Sequence, residues 1–275
     1  MISEQSIPQA EYAIIGGSAT YKIDFPGDLA NPEIKIIVKD LVFTTPFGMS
    51  PPLKLFSLAK KNILTAKMHG WRRGIPRAEA SKQLFWILKE AGVKKIIADG
   101  SVGAVNHLIK PRDIILPSDY LDFSLRKDIH LSEDYLLAMR QAVCPQIRKV
   151  LLTAARTVHP GKIYERAVYA VTEGRHFESP AEVAMFRLFG ADVVGQSMCP
   201  EVYLAREIGA CYGRIELVAN YAEGVIENWD YEELKDIYFQ EAKKIGQILL
   251  QAVSQLSNTQ ECGCKDLRYR SLLQE

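Results

Sequence analysis

The sequence predicts an α/β fold, a single domain in which helices flank a mixed or largely parallel central β-sheet. Three observations predict it. Apolar runs of strand length alternate with segments of helical period from Tyr12 to Leu256. Gly- and Ser-rich punctuation follows several of the strand-like runs. No linker, repeat or low-complexity stretch breaks the series, so residues 1–275 read as one domain whose last part, about 257–275, is a tail carrying "CGC".

Taken in order, "EYAIIGG" reads as a strand ending in a Gly-Gly turn, and "NILTAKM" as another strand. "AEASKQLFWILKEAG" is a helix: Ala80, Leu84, Ile87, Leu88 and Ala91 share a face, and Gly92 suits its C-terminal end. "VKKIIADGSVGA" is expected to be a short strand running into a Gly-rich turn. "RDIILPSDYLD" is a strand and loop. "SEDYLLAMRQAVCPQIRKVLLTAART" is expected to be helical with an interruption near Pro145. "IYERAVYAV", "ADVVGQS" and "ACYGRIELVAN" are strands separated by the helices "PAEVAMFRLFG" and "PEVYLAREIG". The last long helix runs from Tyr231 to Leu256, with Leu234, Tyr238, Ile245, Leu249 and Leu256 among its apolar positions.

Composition excludes several classes. The 275 residues are 48% apolar and 24% charged, with net charge +1, so there is no basic footprint for nucleic acid. No apolar run approaches the roughly 18 residues of a membrane span. "MISEQSIPQAEY" has neither the charged start nor the apolar core of a signal peptide, and a cytoplasmic protein is expected. Five cysteines are scattered except for Cys262 and Cys264. Zinc sites usually draw four ligands from two close pairs, and only one pair is present, so no metal site is expected. Buried thiols are the plain reading, and a disulfide staple at "CGC" the sharper one.

In open α/β sheets ligands bind in loops just beyond strand ends. "GGSAT" offers flexible backbone and the Ser18 hydroxyl to an anion. "KMHGWRRG" gathers Lys67, His69, Arg72 and Arg73, cations suited to phosphate or carboxylate. In "TEGRHFESPAE", "SPAE" is a capping box for the next helix. That leaves Phe177 and Glu178 to face a heterocycle, the ring by stacking and the carboxylate by accepting N–H donors. Asn220, in "VAN" at a strand end, can both donate and accept.

These loops, in this order, resemble the family of trimeric purine nucleoside phosphorylases and methylthioadenosine phosphorylases. The resemblance runs from about Tyr12 to Leu256 and rests on "IIGGS", "WILKEAGVKKIIADGSVGAVNHLIKPRDIILPSDYLD", "EGRHFESPAE", "GADVVGQSMCPEVYLAREIGACYG" and "LVAN". It implies an enzyme that uses inorganic phosphate, with no other cofactor, to cleave the purine–ribose bond. Free base and a ribose 1-phosphate are the products. It implies that Ser18, Lys67, His69, Ser101 and Ser197 hold phosphate. Gln196 would lie under the ribose, Phe177 against sugar and base, and Glu178 and Asn220 would read the base. Asn220, Ser18 and Lys67 are the residues expected to act in catalysis. A homotrimer or homohexamer is also implied, with Tyr120 and Phe123 as interface candidates.

The chain departs from the family pattern at several points. Lys67 replaces an arginine, Arg175 a proline, and Asp99-Gly100-Ser101 a Thr-rich turn, which would put a carboxylate beside phosphate. Glu178 followed by Asn220 is the pair of members acting on 6-oxopurines, although the framework phrases are closer to the methylthioadenosine branch. A methylthioadenosine phosphorylase proper, a nucleosidase and a catalytically silent nucleoside-binding paralogue are the alternative readings.

Overall fold

The computed structural model describes residues 6–226, 228, 230–258 and 262–272. Along the chain the strands and helices are β1 (Tyr12–Ile15), β2 (Lys35–Leu41), β3 (Thr44–Thr45), β4 (Gly48–Met49), β5 (Leu53–Leu58), β6 (Lys61–Ala66), α1 (Arg77–Glu90), β7 (Lys95–Ala104), β8 (Ile114–Ile115), β9 (Asp119–Asp122) and β10 (Tyr135–Leu137). They continue with α2 (Pro145–Val158), β11 (Ile163–Tyr164), β12 (Val168–Val171), α3 (Pro180–Leu188), β13 (Val193–Gly195), α4 (Met198–Glu207), β14 (Cys211–Tyr221), α5 (Tyr231–Gln255) and β15 (Arg268–Arg270).

The main sheet is mixed. Its path is β11-β8-β14-β7-β1-β6-β5-β2, with β13, β12 and β9 extending from β7. β7 runs parallel to both β1 and β14, while β13 meets it antiparallel. Both faces are covered, which is why the central strands read as unbroken apolar runs. In β1, Ala13 and Ile15 join the core under α1 and α4, whereas Tyr12 and Ile14 join the core under α2 and α5. A third apolar cluster seats α3 through Val183 and Phe186.

Three expectations change. β7 does not stop at "DGS" but continues through Asp99, Gly100 and Ser101, because β14 pairs with it along that length. A side chain at position 100 would collide with Arg214 and Glu216 of β14, so glycine there keeps the strand straight over a buried ion pair. The segment before Pro145 is not helical. Residues 135–137 form β10, and Pro145 opens α2 at the first helical turn, where its missing N–H costs nothing. Finally, strands β2 to β5 were not legible. The β5–β6 hairpin turns on Ala59 and Lys60, both at positive φ (49° and 61°), without the Asn-Gly signature of such turns.

Candidate functional site

Six strand-end segments meet around one cavity of about 250 Å³. β1 ends in "GGSAT", which places Ser18, and β6 ends in a 3-10 turn that places His69. The end of β7 supplies Ser101, and the end of β14 supplies Asn220. The loop from β12 to α3 supplies Phe177 and Glu178, and that from β13 to α4 supplies Gln196 and Ser197. Eight of the nine candidate residues line this cavity: Ser18, His69, Ser101, Phe177, Glu178, Gln196, Ser197 and Asn220.

Lys67 is the exception. It is exposed, lines a neighbouring cavity of about 400 Å³, and holds its ammonium 4.7 Å from the centre of the Tyr21 ring. The backbone reverses immediately after it, with Met68 and His69 both at positive φ (50° and 56°), so that His69 turns inward where Lys67 does not. Such backbone is costly for residues with side chains and persists where surrounding contacts enforce it. The expected cation at the cavity is supplied instead by Arg77, from the first turn of α1. It stacks on Trp71 (4.2 Å) and donates to Gln196 Oε1 (3.0 Å) and the Glu173 carbonyl (2.7 Å).

One end of the cavity is floored by hydroxyls. Ser18 Oγ and Ser101 Oγ lie 2.5 Å apart, and Ser101 Oγ lies 2.8 Å from the Tyr238 hydroxyl of α5. Beneath them is a buried ion network. Arg214, with no exposed surface, donates to Ser197 Oγ (2.8 Å), to Tyr212 Oη (3.0 Å) and to Glu216. Because Arg214 occupies a lone pair of the Ser197 oxygen, the Ser197 proton is free to point into the cavity. Glu201 binds His69 Nδ1 (2.8 Å) and the Tyr212 hydroxyl (2.7 Å). Burial works to raise the Glu201 carboxyl, but His69 and Arg214, with the Tyr212 hydroxyl, hold it below its ordinary value. A carboxylate on Nδ1 fixes that nitrogen as the one carrying hydrogen and leaves Nε2 for a ligand.

Asp99 does not reach the cavity, which corrects the expected repulsion. It is fully buried and accepts from Thr20 N (3.1 Å) and Thr20 Oγ1 (2.8 Å), pinning the "GGSAT" turn. Burial pushes its carboxyl up, and the Thr20 bonds pull it partly back. Gly17 packs so tightly on the Asp99 carbonyl and His69 Nε2 that any side chain there would overlap both.

The other end presents an amide, a carboxylate and a half-exposed ring. Asn220 follows a bulge between Val218 and Asn220, a device that re-aims a strand side chain. Its Nδ2 donates to the Tyr221 carbonyl (2.7 Å), which fixes which end of the amide carries hydrogen. Oδ1 and the second N–H are left for a ligand. Glu178 is buried and accepts from Thr172 Oγ1 (2.5 Å). The capping box forms: Ser179 Oγ accepts from Glu182 N (3.3 Å), and Glu182 accepts from Ser179 N (2.8 Å). Arg175 sits at φ 75°, a conformation closed to proline, so this loop takes a course that a proline there would forbid.

A model of the phosphorylase superfamily matches residues 12–254. The chain belongs to that superfamily. It is 32% identical to a 6-oxopurine nucleoside phosphorylase of Pyrococcus furiosus, over 92% of this chain and 96% of that one. It is 30% identical to an S-methyl-5′-thioadenosine phosphorylase of Pyrococcus horikoshii, over 92% and 96%. Among solved structures, a methylthioadenosine phosphorylase from an antarctic soil metagenomic library superposes with a TM-score of 0.78 at 24% identity, covering 94% of this chain and 91% of that one. The superfamily fold is thus shared.

Sequence reasoning missed Arg77, Trp71, Tyr238 and Arg214. Arg214 had a signal: "GRIELVAN" sets a cation and a carboxylate two apart inside a core strand, and buried charges come paired. Tyr238 reads as one more apolar position of α5, and nothing local shows that its hydroxyl meets Ser101.

Proposed function

We propose that this chain is a purine nucleoside phosphorylase acting on 6-oxopurine nucleosides. A phosphate oxygen attacks C1′ of the ribose, the bond from C1′ to N9 breaks, and its electrons pass into the purine, which takes a proton at N7. The products are free base and ribose 1-phosphate, and inorganic phosphate is the co-substrate. The observation that carries this reading is that one cavity has a hydroxyl-and-imidazole end and, opposite it, an amide and a carboxylate. Ser18, Ser101, Ser197 and His69 Nε2 would surround the anion, with Arg214 polarising Ser197 from below. Gln196, held by Arg77, would lie under the ribose, and Phe177 would cover sugar and base.

Base choice follows from donors and acceptors. Asn220 Oδ1 accepts from N7–H while its free N–H donates to O6, and Glu178 accepts from a ring N–H. An adenine places an NH₂ donor where the Asn220 N–H points. The name borne by the Pyrococcus furiosus relative supports the same choice. The placement of Lys67 favours one second reading, a nucleosidase in which water replaces phosphate. Incubating inosine, adenosine and methylthioadenosine with and without phosphate separates them. Phosphate-dependent hypoxanthine release from inosine, ahead of both adenine nucleosides, is expected. Equal release without phosphate selects the nucleosidase, and preference for methylthioadenosine overturns the base assignment.

The same reading includes a cytoplasmic homotrimer or homohexamer. Tyr120 packs edge-on against Tyr203 (5.6 Å) and lies half-buried against the core, so the exposed Phe123 is the better interface candidate. It stacks on Phe186 (4.8 Å) and Phe189 (6.1 Å), beside the exposed Leu188. Light scattering is expected to show three or six chains, and a monomer at assay concentration would exclude the assembly.

A further inference from the structure

None of the five cysteines has a part in the phosphorylase reading, yet the fold gathers four of them. The Sγ atoms of Cys144, Cys211, Cys262 and Cys264 all lie within 4.8 Å of one another. They come from three distant places: the residue before α2, the first residue of β14, and the C-terminal segment. Sequence spacing shows one close pair, whereas the fold brings four sulfurs together. A tetrahedral zinc thiolate, with bonds of about 2.3 Å, sets its sulfurs roughly 3.8 Å apart. The four sulfurs therefore need shifts of only about 1 Å to close on one ion.

The surroundings carry charge of the matching sign. Lys95 is 4% exposed, and no carboxylate among the described residues pairs with it. Among the described residues its ammonium reaches Gln146 Oε1 (3.4 Å) and Cys211 Sγ (3.9 Å). Buried lysines without a counter-charge are rare. A tetrathiolate around a divalent cation has net charge −2 and supplies that counter-charge, whereas four thiols or two disulfides do not. A further donor points at the sulfurs: Gln141 Nε2 at Cys264 Sγ (3.9 Å). Donors around ligating sulfurs are the usual outer layer of a thiolate metal centre.

We propose that Cys144, Cys211, Cys262 and Cys264 bind one soft divalent cation, zinc by its chemistry, and so lock the C-terminal segment onto the α/β body. On binding, four S–H bonds break, four protons leave to solvent, and four sulfur–metal bonds form without electron transfer. The anchored segment includes β15, which pairs with β10, and the Cys264 carbonyl, which accepts from Arg206 (3.0 Å). Cys211 opens β14 and Asn220 lies near its other end, so the strand separates this site from the nucleoside cavity, and its role is structural.

The test uses full-length protein, fully reduced and handled without oxygen, titrated with Co²⁺ and then Zn²⁺. One equivalent of Co²⁺ per chain is expected, with the visible and near-ultraviolet absorption of tetrahedral cobalt thiolate, displaced by one equivalent of Zn²⁺. Cys264→Ser and Cys262→Ser, checked for fold by circular dichroism, are expected to lose that absorption. A chelator is expected to lower the melting temperature of zinc-loaded wild type. Reduced, folded wild type that gives no cobalt–thiolate absorption overturns the proposal, as does retention of that absorption by both variants. Thiols isolated as disulfides are reduced first, and the same titration decides.

Discussion

The two ends of the nucleoside cavity are built differently. The hydroxyl end stands on groups with almost no solvent contact: Arg214, Glu216 and Glu201 are 0%, 0% and 1% exposed. Its donors are held by strands β7 and β14 and by a hydrogen-bonded chain reaching α5. The base end hangs on the loop from β12 to α3, where Phe177 is 52% exposed and Glu178, among the described residues, has one side-chain anchor, Thr172. The difference teaches where each demand is met. An anion common to all substrates suits a rigid, preorganised floor, whereas selecting among bases falls to a loop and one re-aimed amide. It also separates stability from specificity, since substitutions at the floor strike the fold and substitutions at the loop strike the substrate ratio.

Arg214→Ala is expected to break this comparison most severely. It strands Glu201 and Glu216 in the core, and removing one member of a buried pair costs about 3–5 kcal/mol. Chemical denaturation is the measurement, and Glu178→Ala is the control from the other end, expected to change substrate preference more than stability.

Glu216 gives a pH signature of the floor. Burial pushes its carboxyl up to about 7 from 4.5, against the pull of Arg214, and Oε2 has no hydrogen-bond partner among the described residues. A carboxyl raised in the folded state binds its proton more tightly there than in the unfolded chain. The stability it contributes is therefore present below 4.5 and lost as pH rises through about 7. Over that interval the loss amounts to as much as about 3 kcal/mol. Glu216→Gln is expected to flatten the fall of unfolding free energy across this window, and an unchanged slope would remove Glu216 as its source.

At the base end, Asn220→Asp is expected to shift kcat/KM toward 6-amino nucleosides by about tenfold, the effect of one mispaired polar group. It also sets a carboxylate against the Tyr221 carbonyl, so a stability loss of about 1 kcal/mol accompanies it. The smallest effect is expected at Lys67. With its ammonium over Tyr21 and outside the cavity, Lys67→Ala is expected to change the phosphate KM by less than about twofold. A large increase would return Lys67 to the site.

Much of the cavity was legible because strand-end loops announce themselves: Ser18, His69, Ser101, Ser197 and Asn220 each follow an apolar run, and the fold class says where such ends meet. The separation of Lys67 from them was not legible because two residues at positive φ follow it, and neither Met68 nor His69 signals that. The limb from β2 to β5 was missed because Ala59 and Lys60 do not look like a hairpin turn. β7 was cut short because its glycines resemble a turn, whereas they make room for side chains of β14. The cysteine cluster was invisible for a different reason. Its ligands come from residues 144, 211, 262 and 264, and only the folded chain shows that they share a place.

The central claim is that the two ends divide the substrates between them. Steady-state phosphorolysis of inosine, with phosphate and nucleoside varied independently, tests it on Ser18→Ala and Asn220→Ala. Removing one neutral hydrogen bond is worth about 1 kcal/mol, or roughly fivefold. Ser18→Ala is predicted to raise the phosphate KM by about that factor while the inosine KM stays within about twofold, and Asn220→Ala to do the reverse. Both variants moving the same Michaelis constant would contradict the division.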